Sequence, residues 1–367
     1  MTGSAPVPVQ PVTTEGPGTT DLPTARLARW LSRVAGIPLA PPISAALLAG
    51  GRSNLTYRLT DSAGASLVLR RPPLSGVVSS AHDVLREHRI MAALAGSSVP
   101  VPAMVAACPD ESVIGSPFFV MQYVDGVVLH NQQLAEDELP APARARAGDD
   151  LVLALAALHS VDPAQVGLSD LGLSHLSTGA SYVHRQLTRW RGQLDRLGVQ
   201  ADDTMCALHE RLAAAVPEQT HTTIVHGDFR LGNAIVSRDG AVRAVLDWEL
   251  ATLGDPMADV GYLAAYWGAS DPRVDIPLAV PTRAAGFASR PEMLGCYERL
   301  TGRSLADLDY FIAFALWRLA AILAGVHART RQGAYGANGN AVAVPDADDR
   351  VRRVIAAAEA ATTAAGR

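Results

Sequence analysis

The spacing of apolar and polar positions lays out a short run of strands followed by a long run of helices. A first helix is predicted over 25–35, capped by Asp21 or Thr24, with Leu27, Leu31 and Val34 on one face. Past the prolines of 38–42, the stretch LLAGGRSNLTYRL (47–59) runs apolar into Gly50-Gly51 and alternates again at Leu55, Tyr57 and Leu59, a strand–turn–strand with a flexible tip. SLVLRR (66–71) is a short apolar strand that ends in two arginines. Ser80 and Asp83 form a capping box for a helix over 81–94, whose one face carries Val84, Glu87, Met91 and Leu94. A carboxylate on that face needs a partner, unless Glu87 sits at the edge of the stripe in water. VPVP (99–102) opens an extended segment, and FFVMQY (118–123) reads as a central strand that breaks at Val124-Asp125-Gly126. Helical spacing then takes over at 144–159, 177–197, 292–300 and 305–331. Residues 272–290 and 333–340 are loop-rich, and Asp346 or Asp348 starts a last Ala-rich helix.

One stretch departs from this helical second half. In IVHGDFRLGNAIVSRDGAVRAVLDW (224–248) an apolar pair leads into H-G-D-F-R-L-G-N. A second apolar pair, a Ser-Arg-Asp-Gly turn and a further apolar run ending at Asp247 follow. Two short strands joined by that turn bring Asp228, Asn233 and Asp247 to one end of a hairpin. Two carboxylates and a carboxamide so placed suit phosphoryl transfer. One oxygen holds an acceptor hydroxyl, and two hard oxygen ligands hold Mg²⁺ on nucleotide phosphates. The unhindered amides of Gly50 and Gly51, helped by Ser53 and Asn54, could fold over phosphates as well.

The ordered string H-G-D-x-x-x-x-N followed by V-L-D-W-E resembles the catalytic and metal-binding loops of the aminoglycoside phosphotransferase family, small-molecule relatives of protein kinases. The resemblance implies an α+β, bilobal, protein-kinase-like fold. Its small N-terminal lobe holds an antiparallel sheet plus helix, and its larger C-terminal lobe is mostly helical. It divides the chain into a disordered tail (1–20), a nucleotide-binding lobe (21–123) and a catalytic and acceptor-binding lobe (124–367). It makes Asp228 the catalytic base, Asn233 and Asp247 the metal ligands, and ATP (or GTP) with Mg²⁺ the cofactors. Backbone groups of Gln122, Tyr123 and Val124 receive the adenine. Arg70 stands where the family's V-x-x-K pattern has lysine, gripping the α/β phosphates with Glu87 as its partner. A guanidinium is a wider, planar fork than an ammonium, and Arg71 is the alternative contact. His226 and Arg230 shape the loop around the base.

Composition narrows the picture. There are 31 basic and 36 acidic residues, a net charge of −5 with no run of like charge, and every basic residue is arginine. Nothing points to nucleic acid, and no pattern specifies an oligomer. Cys108, Cys206 and Cys296 are too far apart for a zinc site or a disulfide framework, so reduced thiols in a cytoplasm are expected. The first twenty residues lack the basic start and apolar core of a signal peptide. The apolar run 311–326 carries Arg318 and reads as a buried core helix, not a membrane span. His159 at a helix end reads as a structural histidine. Only seven residues separate Asp247 from Asp255, too few for a protein kinase's activation segment, so a protein substrate is not expected. Asp255 is expected to cap the next helix at Pro256, and Asp259 to brace the catalytic loop.

The acceptor is therefore expected to be a small hydroxylated molecule. Segment 270–331 holds six acids against eight arginines, and the helix over 177–197 adds Arg185, Arg189, Arg191 and Arg196 against Asp195. That balance favours an anionic acceptor over a polycationic aminoglycoside. The strings LRRPP (69–73), REHRIM (86–91), LHSVDP (158–163) and LDWELATLGDP (246–256), with Arg185-Gln-Leu-x-Arg-Trp190, look like the branch that includes the kinase domain of acyl-CoA dehydrogenase fusion proteins. That likeness, over about 45–330, implies a hydroxyacyl-CoA acceptor. The alternatives are an aminoglycoside-type antibiotic kinase and a non-catalytic, pseudokinase-like nucleotide binder.

Overall fold

The structure is a computed structural model of the 367-residue chain and describes residues 22–48, 54–72, 83–172, 180–199, 203–268, 279–331 and 347–364. The expected tail, the Gly50-Gly51 turn with Ser53, Ser80 and the loop 333–340 lie outside the described residues. The chain forms two compact units, Met1–Ala92 with Pro102–Val127, and Ala93–Val101 with Val128–Arg367.

The first unit is built on alternation. It contains helix α1 (Thr24–Val34), strands β1 (Ser44–Leu47), β2 (Leu55–Thr60) and β3 (Ser66–Arg71), helix α2 (Val84–Leu94), and strands β4 (Met104–Cys108) and β5 (Phe118–Gln122). The strands form one antiparallel sheet in the order β1-β2-β3-β5-β4. Because Tyr57 pairs with Leu69 and Leu59 with Leu67, these four share a face, and they form one core with Leu27, Trp30 and Leu31 of α1. Trp30 packs edge-on to Phe118 at 5.0 Å. The apolar face of α1 is thus Leu27, Trp30 and Leu31, and the expected Val34 is 53% exposed. Thr24 begins the helix instead of capping it, since no side chain caps its first turn.

Helix α2 starts at Val84, three residues later than its pattern predicts. Asp83 accepts from the Arg86 N–H at 2.9 Å and is itself the cap.

The second unit is mostly helical: α3 (Gln132–Glu138), α4 (Ala141–Ser160), α5 (Tyr182–Arg196), α6 (Asp203–Ala214), α7 (Met257–Ala265), α8 (Arg290–Thr301), α9 (Leu308–Arg331) and α10 (Ala347–Ala364). Two short strand pairs interrupt it. β6 (Thr223–Val225) pairs with β9 (Thr252–Gly254), and β7 (Ala234–Val236) with β8 (Val242–Val245). Helices α3 and α6 stand where no element is expected. In α3 only Ala135 is buried, so there is no stripe to read, whereas α6 carries Met205, Leu208 and Leu212 at helical spacing.

The core of this unit is α9, which packs against α5, α7 and α10 and is buried from Tyr310 to Ala321. It is long and apolar enough to cross a membrane by length and composition, but 67% of its most apolar window is buried inside the unit. Tyr310 and Trp317 donate to the Leu212 and Met205 carbonyls at 2.8 and 3.2 Å, tying it to α6.

Candidate active site

The hairpin predicted around 224–248 is present. The Ser237 N–H bonds to the Ala241 carbonyl and Gly240 N–H to the Ser237 carbonyl, closing the turn between β7 and β8. At the open end the Leu246 N–H donates to the Asn233 carbonyl at 2.8 Å, which sets Asn233 beside the residue that leads into Asp247. Asp247 is the one non-glycine residue with positive φ among the described residues (φ 67°, ψ 58°). A left-handed conformation at aspartate costs about 1 kcal/mol and aims the side chain off the line of the strand.

Asp228 is held on both oxygens. Its Oδ2 accepts from Asn233 Nδ2 at 2.7 Å and its Oδ1 from Arg230 Nε at 3.1 Å. The same Asn233 amide donates to the Asp228 carbonyl at 2.8 Å. Two acceptors on one side fix the amide's orientation, leaving Asn233 Oδ1 with no hydrogen bond among the described residues. Burial alone would lower the Arg230 guanidinium, but the Asp228 carboxylate outweighs it and holds the group above its ordinary value. Arg230 also lies 5.4 Å over the Tyr266 ring.

The loop carrying Asp228 is clamped by groups far along the chain. Asp259, fully buried on α7, accepts from the His226 and Gly227 N–H groups at 2.7 and 2.8 Å. Burial raises that carboxyl, but His159, His226 and the Gly227 N–H outweigh it and hold it below the usual range. His159 sits 3.4 Å from Asp259 and 2.8 Å from the Tyr297 hydroxyl. Burial pushes this imidazole below its ordinary value, and it links Asp259 to Tyr297 inside the core. His226 receives the Asp228 N–H on Nδ1 at 3.1 Å and donates from Nε2 to the Leu246 carbonyl at 2.9 Å. One imidazole thus joins the two ends of the motif. Gly227 has φ 85°, and a Cβ there would meet Leu250 at 3.0 Å, so glycine is required. Arg318 of α9 donates from Nη2 to the Gly227 carbonyl. Its signal in the sequence is a lone arginine inside an apolar helix, since a buried charge must find a partner. Asp255 accepts from the Met257 N–H at 2.9 Å; α7 begins there, with Pro256 at its N-cap.

In the first unit Arg70 and Glu87 meet, Nε to Oε2 at 2.8 Å, with Glu87 2% exposed. Arg71 cannot take Arg70's place. It pairs with Leu55, lies on the α1 face of the sheet, and is buried against Tyr57, whose hydroxyl it reaches at 3.1 Å. Asn54 is buried, and its Oδ1 has no hydrogen-bond partner among the described residues. At the end of β5 the Gln122 N–H is taken by the Ala103 carbonyl. Arg58 lies 4.1 Å over the Tyr123 ring.

The donor set around Asn233 and Asp247 fits a hard divalent cation held together with nucleotide phosphates. Among the described residues no group of three or more His, Cys, Asp or Glu side chains could hold a metal alone. Mg²⁺ characteristically takes only one or two protein oxygens beside phosphates.

An aspartate bonded to an asparagine at the mouth of a hairpin, with a helical core behind it, is an arrangement that fits a phosphotransferase of the protein-kinase-like fold. The model of the phosphotransferase enzyme family, APH, matches residues 44–293, and the chain belongs to that family. It is similar to a Ralstonia eutropha crystal structure assigned to the aminoglycoside phosphotransferases, at 32% identity and TM-score 0.74, covering 94% of this chain and 98% of that one. It is 36% identical to mouse acyl-CoA dehydrogenase family member 10 and 33% to chicken family member 11, over 85% and 83% of this chain. The chain spans only 29% and 39% of the length of those two relatives. The macrolide 2'-phosphotransferase type I structure, at 19% identity and TM-score 0.54, shares the fold.

Proposed function

We propose that the chain moves the γ-phosphoryl group of ATP to a hydroxyl of a small anionic acceptor, hydroxyacyl-CoA-like in class. The observation that carries this reading is the Asp228–Asn233 hydrogen bond at the open end of the β7–β8 hairpin, next to Asp247. Asp228 is partly exposed and orients the acceptor hydroxyl and takes its proton. Asn233 Oδ1 and the Asp247 carboxylate are the groups to hold a divalent metal, Mg²⁺ in this reading, which supplies charge neutralisation at the phosphates when bound. In the first unit Arg70, fixed by Glu87, is the cation for the α/β phosphates, and the backbone of Tyr123 and Val124, just past β5, is where a base would be received. Positioning and charge neutralisation dominate phosphoryl transfer because its transition state is loose.

The acceptor's charge is read from α5. Arg185 is taken up by the Ala180 and Leu253 carbonyls, and Arg191 by Asp195 and Cys206. Arg189 is exposed and lies beside the Trp190 ring, with Glu249 the carboxylate that acts on it, so it is the α5 arginine an anionic acceptor would engage. The relatives named acyl-CoA dehydrogenase family members support the same class. Three free cysteines fit a reducing compartment, and the proposed place of action is the cytoplasm.

The test is turnover of Mg²⁺-ATP against a panel of hydroxyacyl-CoA esters, neutral sugars and kanamycin-like aminoglycosides. Turnover should be highest with the anionic esters and should fall at least about a hundredfold in Asp228→Asn and Asp247→Ala, each folded as the parent. Preferential turnover of the aminoglycosides would overturn the anionic acceptor. Nucleotide binding without turnover of any acceptor would favour the non-catalytic reading.

A further inference from the structure

Arg318 is 2% exposed in the middle of α9, and no carboxylate lies within salt-bridge reach of it among the described residues. A guanidinium buried without a counter-ion is destabilising unless its N–H groups and charge are put to use. Its contacts are a carbonyl, a hydroxyl and two rings. Nη2 donates to the Gly227 carbonyl, Nη1 lies 3.5 Å from the Tyr182 hydroxyl, and the group stands 5.1 Å over Tyr262 and 5.9 Å over Phe314. Nε has no partner. Helix α9 reaches this depth because α7 presents Gly261 to it, where an added Cβ would lie 2.5 Å from the Phe311 carbonyl carbon.

We infer that Arg318 is a positioning residue for Asp228, acting through the peptide that joins Gly227 to it. That peptide's carbonyl is held by Arg318, and its N–H, which belongs to Asp228, is held by His226 Nδ1. The two preceding N–H groups are held by Asp259. Asp259 therefore anchors the approach to the loop, and Arg318 sets the orientation of the last peptide before the carboxylate. Gly227 is free to rotate in a way no other residue is, so this peptide has the widest range to explore when the clamp is removed. A guanidinium serves here because two of its N–H groups diverge, one to each partner. The inference rests on the proposed role of Asp228.

The test compares Arg318→Lys and Arg318→Met with the parent by Mg²⁺-ATP hydrolysis, water standing in for the acceptor, and by amide hydrogen exchange over 226–230. Arg318→Met should lower kcat at least about tenfold with the nucleotide KM within about twofold, and Arg318→Lys should recover part of the loss. Exchange should quicken at the Asp228 amide while the His226 and Gly227 amides stay protected. Folded variants with kcat within about twofold of the parent, or with KM and kcat falling together, overturn the inference. Failure of even Arg318→Lys to fold assigns Arg318 to stability alone and also overturns it. The exchange measurement needs no turnover, so a parent without hydrolysis counts against phosphoryl transfer, whereas unchanged exchange at Asp228 counts against Arg318.

Discussion

Two of the places where this protein buries charge solve the problem in opposite ways. In the first unit a side chain answers a side chain: Arg70 on β3 meets Glu87 on α2. In the second, side chains answer the backbone. Asp259 takes two loop N–H groups, Arg318 takes a loop carbonyl, and His226 bridges an N–H and a carbonyl. An ion pair fixes two atoms relative to each other. Backbone clamps fix the path of the chain, which is what a loop must have if the carboxylate it carries is to be held without being neutralised by the brace. Asp228 keeps only Arg230 and Asn233 on its own oxygens.

The largest expected effect comes from removing the backbone clamp at its most buried point. Asp259→Ala leaves the His226 and Gly227 N–H groups and His159 without an acceptor, and should destabilise the protein by about 3–5 kcal/mol. Urea unfolding measures this, and a loss under about 1 kcal/mol would show that the loop holds its path without the brace.

The ion pair should behave differently. Arg70→Met or Glu87→Leu alone leaves an uncompensated charge and should cost about 3 kcal/mol, whereas the double substitution should return close to the parent. A double-mutant cycle decides the point: additive losses would mean the pair is not a unit.

The smallest effect is a pH dependence to which the buried His159 contributes. Burial holds His159 below its ordinary value, so the unfolded chain takes up this proton first as pH falls. Stability contributed by the neutral imidazole is intact above about pH 6.5 and declines below it, by at most about 1.4 kcal/mol per pH unit for one proton. His88, His130 and His209, also held low by burial, add to the same acid slope. His159→Gln should make the slope of unfolding free energy between pH 7 and 5 shallower; an unchanged slope would show that His159 is not neutral in the fold.

Much of this was legible before any coordinates. Period-two alternation placed Leu55, Tyr57 and Leu59 on one face of their strand, and helical spacing turned Glu87 inward. The apolar runs on either side of 228–233 and 242–246 placed the hairpin. Val34 was misread because a helix stripe has two edges, and Trp30, on the other edge, meets Phe118. Helix α3 was not legible because it buries only Ala135 and relies on Asn131 as its cap.

The sequence by itself determined which side chains share a face and which polar groups end the short strands, because periodicity is a local property. It left open whether Arg70 or Arg71 faces α2. The fold decided that, because the face of β3 that turns Leu67 and Leu69 to the α1 core also turns Arg71 to Tyr57. It also left unread that Arg318 would reach Gly227 across 91 residues. Every residue offers the same carbonyl, so a backbone acceptor carries no mark of its partner. Only the packing of α9 on α7 brings the guanidinium within reach.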